Sequence, residues 1–159
     1  MRLTDLLTQD RVAVRHNGAD AARFDKAGVI RTLSAMLATG ARADVADVER
    51  VLAEREQLQS TGIGEGVAIP HGALPQLETQ YASLLIVPEG VDFAAIDGLP
   101  VNILFAVLGP KRATGEHLKT LARISRLLRN KSFRDSLVAA SDSKQAYALI
   151  DSEEGGERR

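Results

Sequence analysis

The sequence predicts an α/β domain with one mixed sheet, and three observations carry that prediction. Val101–Leu108 is almost continuously apolar, the pattern of a central strand covered on both faces. Ala82–Val87 reads as a second buried strand. Segments with apolar residues at helical spacing stand before and after these runs, two of them separating an early strand from the later ones, so helices both flank and interrupt the strands.

Along the chain, Met1–Thr8 reads as a short helical or irregular start and Arg11–Arg15 as a brief strand. A helix is expected from Asp20 to Thr39, burying Phe24, Ala27, Val29, Ile30, Leu33, Met36 and Leu37, with Gly40 as its stop. A second runs from Asp44, an N-cap acceptor, to Gln59, with Val45, Val48, Val51, Leu52 and Leu58 inward. Val67–Ile69 is a short strand. Pro88–Gly90 closes the strand over Ala82–Val87, and Gly109–Pro110 closes the one over Val101–Leu108. A helix over Gly115–Arg129 buries Leu118, Leu121, Ile124, Leu127 and Leu128, and short helices follow at Lys131–Ala139 and Ser143–Asp151.

The composition narrows the function. At 159 residues the chain fits one domain, with 45% apolar and 26% charged residues and a net charge of −1. That balance gives no nucleic-acid footprint. No apolar run approaches the roughly 20 residues that span a bilayer, and the first ten residues lack a signal-peptide core. Without cysteine there are no disulfides, thiolate metal sites or cysteine nucleophiles, and a cytoplasmic setting is expected. The three histidines stand far apart with no acidic ligand cluster, so no metal and no cofactor are expected.

One stretch carries chemistry: Ser60-Thr61-Gly62-Ile63-Gly64-Glu65-Gly66-Val67-Ala68-Ile69-Pro70-His71-Gly72. Glycines at alternate positions let the main chain approach a ligand closely, and Pro70 fixes the backbone just before His71. A neutral imidazole is a competent nucleophile near pH 7. A histidine on such a frame suggests a covalent phosphoryl acceptor, while a tight turn entering a strand is the plainer alternative. The stretch is neither a dinucleotide fingerprint nor a Walker A loop, since no strand–glycine–helix order and no Gly-Lys-Ser/Thr occur.

Arg55–Gly72 resembles the phosphorylation-site signature of the type-2 EIIA domains of the bacterial phosphotransferase system, the fructose/mannitol/nitrogen-related group. Val91–Val101 and His117–Ala122 resemble the same family, and the likeness extends from about Leu3 to Glu154. Ser-Thr-Gly-Ile-Gly before the histidine and the Phe-x-Ala-Ile-Asp segment look most like the nitrogen-related members. The resemblance implies a five-stranded mixed sheet sandwiched by helices, an EIIA domain over 1–154 and a disordered tail over 155–159.

It also implies that an HPr-like phosphocarrier donates a phosphoryl group to Nε2 of His71. The recipient then either regulates target proteins through its phosphorylation state or, in a sugar-specific member, passes the group to an EIIB domain. A binding module that is never phosphorylated is the reading from a different class. Arg55 matches a basic position near the family's histidine and would stabilise phosphoryl charge, although a lone helical arginine is ordinarily a solvated surface residue. His117 matches a second family histidine, as a hydrogen-bond donor to the phosphoryl group or an organiser of the pocket. Backbone amides around Gly64, Gly66 and Gly72 are candidates to hold phosphoryl oxygens. Thr61 either bonds a phosphoryl oxygen or caps the turn. Glu54, Glu56 and Glu65 read as solvated charges, His16 as a surface residue, and Ile63 with Leu74 as a docking patch.

Overall fold

A computed structural model describes residues 2–16 and 24–157. The chain order is α1 (Leu3–Leu6), a 3₁₀ turn (Gln9–Arg11), β1 (Val12–Val14), α2 (Lys26–Ala41), α3 (Val45–Leu58), β2 (Gly62–Gly64), β3 (Val67–Ala68), β4 (His71–Leu74), β5 (Tyr81–Val91), β6 (Val101–Pro110), α4 (Thr114–Leu127), α5 (Lys131–Val138) and α6 (Ser143–Glu157). The sheet runs β1-β5-β6-β3-β2, and β4 also pairs with β6. Antiparallel β5 and β6 form its centre, while β1 joins β5 and β3 and β4 join β6 in parallel.

Side chains alternate across the strands, so neighbouring residues of β5 and β6 enter opposite cores. Leu84, Ile86, Ile103, Phe105 and Val107 pack with residues of α1, α4, α5 and α6. Leu85, Val87, Leu104, Ala106 and Leu108 pack with α2 and α3. The mixed sheet between two helical layers is therefore as expected, with six strands where the resemblance implies five. The glycine-rich segment supplies three short strands, β2, β3 and β4, and only β3 is legible from the sequence.

Several boundaries differ from expectation. Residues 20–23 of the first expected helix lie outside the described residues. Gly40 does not stop α2; Arg42 takes the left-handed turn at φ 54°, and Gly40 instead makes room for Arg11, whose Nη1 would lie 2.5 Å from a Cβ there. β5 runs on through Pro88–Gly90, with a register shift between Ile86 and Val91 and Gly90 at φ +84°. Gly109–Pro110 stays in β6 because Ala73 and Leu74 of β4 pair with it. The expected tail is partly helical, since α6 reaches Glu157. Val45, Leu58 and Leu118 are exposed where burial was expected. No helix among the described residues is long and apolar enough to cross a membrane.

Candidate functional site

The glycine run builds a hairpin that delivers His71 to the side of the central strand β6, opposite Val107. β2 and β3 pair antiparallel through the turn Gly64-Glu65-Gly66, whose backbone takes φ values of +102°, +58° and +81°. Two glycines meet that demand without strain. Asp97 pins the turn, its carboxylate accepting from the N–H of Glu65 at 2.8 Å and of Leu99 at 3.1 Å. Those bonds hold its carboxyl below the usual carboxylate range. After β3, the Ile69 N–H donates to the Thr61 carbonyl and the Val107 N–H donates to that of Pro70. His71 thus opens β4 on a backbone tied on both sides.

The imidazole is oriented from within the same segment. His71 Nδ1 lies 2.8 Å from the Ile69 carbonyl oxygen, an acceptor only, so Nδ1 carries the proton and Nε2 keeps its lone pair. The half-buried ring lines a cleft of about 280 Å³ with Arg55, Thr61, Ile63, Ile96 and Leu121. His117, in the first turn of α4, stands with its ring centroid 5.4 Å away at a 55° tilt. Burial pushes the His71 pKa down, the Ile69 carbonyl opposes that shift, Arg55 adds to it and Glu56 opposes it. Burial lowers His117 as well, with a further contribution from His71.

These depressed values have a consequence for stability. The unfolded chain binds protons at both rings from about pH 6.5 downward, where the folded protein does not. Unfolding free energy should therefore fall as pH drops from about 6.5 through the lowered folded values, and be unaffected above that window. Urea melts of wild type and His71→Gln/His117→Gln at pH 7.5 and 5.5 check this. The double variant should lose less stability between the two than wild type does.

The structure brings His71, His117 and Arg55 together. Arg55 lies in the last turn of α3, where its Nη1 donates to the Gln59 carbonyl at 2.7 Å and holds the guanidinium beside the cleft. It does not bring the three glycines to one place. Gly64 and Gly66 line neighbouring hollows, while Gly72 sits in the β4–β6 ladder. A Cβ on Gly72 would lie 2.8 Å from Val51 Cγ2, so its lack of a side chain lets α3 approach β4. Leu74, expected in a docking patch, is buried at 2% exposure; Ile63 and Ile96 are the exposed apolar side chains of the cleft.

Glu56 is the residue that the sequence reading missed. Its side chain is buried and accepts from both the N–H and the hydroxyl of Thr61. Lys26 pairs with its other oxygen at 2.8 Å and lies over the Phe93 ring. Thr61 is thereby committed to Glu56, which joins the end of α3 to the start of β2. The signal was its spacing, since Val48, Leu52 and Glu56 recur every four residues on the buried face of α3. Glu65 is exposed but pairs with Arg134 at 3.0 Å, and exposed His16 pairs with Glu89.

The class of the chain is that of a type-2 EIIA domain, here a mixed sheet between helical layers with His71 and Arg55 lining one cleft and the His117 ring beside His71. It belongs to the family "Phosphoenolpyruvate-dependent sugar phosphotransferase system, EIIA 2", whose family model matches residues 18–153. Within that family it is similar to nitrogen regulatory proteins. One from Pseudomonas aeruginosa is 34% identical over 151 residues, covering 94% of this chain and 95% of that protein. One from Bradyrhizobium diazoefficiens is 43% identical over 103 residues, covering 65% of this chain and 67% of the relative. The crystal structure of nitrogen regulatory protein IIA-Ntr from Neisseria meningitidis superposes with a TM-score of 0.83 at 32% identity, over 93% of this chain and 98% of that one.

Proposed function

We propose that this EIIA-type protein is a phosphocarrier of the nitrogen-related phosphotransferase branch, accepting a phosphoryl group on His71 Nε2 and regulating partner proteins by its phosphorylation state. The observation that carries the reading is the Nδ1–Ile69 carbonyl bond of 2.8 Å, which fixes the tautomer that attacks through Nε2. Phosphoryl transfer asks mainly for positioning and charge stabilisation. The Nε2 lone pair forms the new N–P bond as the donor's N–P bond breaks in line. With its other ring nitrogen protonated, the donor histidine leaves as a neutral imidazole. His71 keeps its Nδ1 proton, and the Ile69 carbonyl offsets the positive charge that its ring acquires. Arg55 stabilises the phosphoryl oxygens, and His117 supports the pocket from the start of α4.

The donor is an HPr-like phosphohistidine carrier, and the exposed Ile63 and Ile96 give it an apolar rim to dock on. Such a transfer complex is small and short-lived. A chase separates regulation from transport. Labelled phosphate loaded from phosphoenolpyruvate through Enzyme I and the carrier should remain on this chain when fructose- or mannitol-type EIIB domains are added. Rapid loss of label to EIIB would instead assign a sugar-specific component.

A further inference from the structure

A second cavity, of about 320 Å³, opens on the other side of α4, against α1. Arg2, Lys119, Arg123 and Arg126 line it, opposed within it by the single carboxylate of Glu116. Part of that charge is matched nearby. Arg2 Nη2 donates to the Asp151 carboxylate at 2.8 Å, Arg123 lies 3.9 Å from buried Glu154, and Lys119 lies 4.0 Å from Glu116. Arg126 forms no ion pair with any described residue.

Two polar atoms at this cavity are buried without a partner among the described residues. One is Arg2 Nε, a donor whose guanidinium Asp151 already holds in place. The other is Oε1 of Gln80, a residue only 7% exposed. Buried polar groups are nearly always satisfied, so a donor and an acceptor left open on one cavity suit a ligand that offers the complementary groups. The donors and the acceptor specify its chemistry. Guanidinium groups match the oxygens of a phosphate, whereas a carbonyl oxygen needs a donor, which the phosphate group of a monoester dianion lacks and a hydroxyl elsewhere on the same molecule supplies.

We propose that this cavity binds a small phosphate monoester bearing a hydroxyl group, with the phosphate on Arg126, Arg123 and Arg2 and the hydroxyl donating to Gln80 Oε1. The volume lies at the lower end of small-molecule sites and suits a compact metabolite. The site also adjoins the histidine pair. A Cβ on Gly109 of β6 would lie 3.0 Å from His117 Nδ1 and 3.2 Å from Gln80 Cγ, so both side chains pack over the same glycine. α4 itself carries His117 and three of the four cations. A ligand held there touches the elements that position the second histidine.

The test is a titration of the unphosphorylated full chain, ¹⁵N-labelled, with glycerol 3-phosphate, inorganic phosphate and glycerol. Glycerol 3-phosphate should give saturable shifts at the amides of residues 119–126, the Gln80 side-chain amide and the His117 ring. It should bind about ten-fold tighter than inorganic phosphate, and glycerol should not bind. Arg126→Ala, a substitution at an exposed residue outside the histidine cleft, should weaken binding about ten-fold and leave phosphoryl acceptance without ligand unchanged. No saturation at millimolar glycerol 3-phosphate, or equal affinity in Arg126→Ala, overturns the site. Equal affinity for inorganic phosphate overturns the hydroxyl contact to Gln80. Binding is read without phosphorylation, so none of these results depends on His71 being an acceptor.

Discussion

Arg55→Ala should lower the rate at which the protein accepts a phosphoryl group by about 10²–10³-fold, the loss that follows removal of one preorganised donor from a developing charge. The guanidinium lines the cleft with His71, and its bond to the Gln59 carbonyl holds it there before any phosphate arrives. The same positive charge helps to depress the His71 pKa, so the variant's rate should also begin to fall at a higher pH on acidification than that of wild type. Arg55→Lys keeps the charge but loses the planar fork, and should fall between the two. Rapid-quench transfer from a phosphorylated carrier, followed across pH 5.5–8, checks rate and profile together. A wild-type rate and profile in Arg55→Ala would reduce this arginine to a cap on α3.

Glu56→Ala should destabilise the fold by about 3 kcal/mol, the lower end of the cost of breaking a buried ion pair, because Lys26 is 31% exposed and recovers water. The loss also strips acceptors from the buried N–H and hydroxyl of Thr61. For a domain of this size the melting temperature should drop by roughly 6–12 °C. Glu56→Gln retains an acceptor for Thr61 and should cost less, yet it removes the charge that raises the His71 pKa and so should lower that pKa further. Thermal melts and histidine titration by NMR separate the two effects. A Glu56→Ala melt within a degree or two of wild type would mean that the Glu56–Lys26–Thr61 network adds nothing to stability.

The architecture was legible where local pattern and tertiary context agree. β5 and β6 announce themselves as long apolar runs, and Asp44 and the Val48–Leu52 stripe mark α3. The pairing of His71, Arg55 and His117 came from the family resemblance, because no local rule joins positions 55, 71 and 117. β4 was not legible: His71-Gly72-Ala73-Leu74 has little strand propensity and is a strand only because β6 offers it an unpaired edge. Glu56 was misread because charge argues for solvent, whereas the spacing after Leu52 argued for the core. Leu58 and Leu118 failed in the opposite sense, as apolar residues at helix ends where no neighbour covers them. Besides the phosphate-cradling role that the spacing suggests for Gly64 and Gly66, the hairpin turn itself requires their positive φ.

Intact-mass spectrometry, without acid, of wild type and His71→Ala after incubation with phosphoenolpyruvate, Enzyme I and an HPr-like carrier tests the central claim most directly. The proposed chemistry predicts the mass of one phosphate added to wild type and none added to His71→Ala. A wild-type protein left unmodified by active carrier proteins, or a His71→Ala protein that still gains a phosphate, would contradict it.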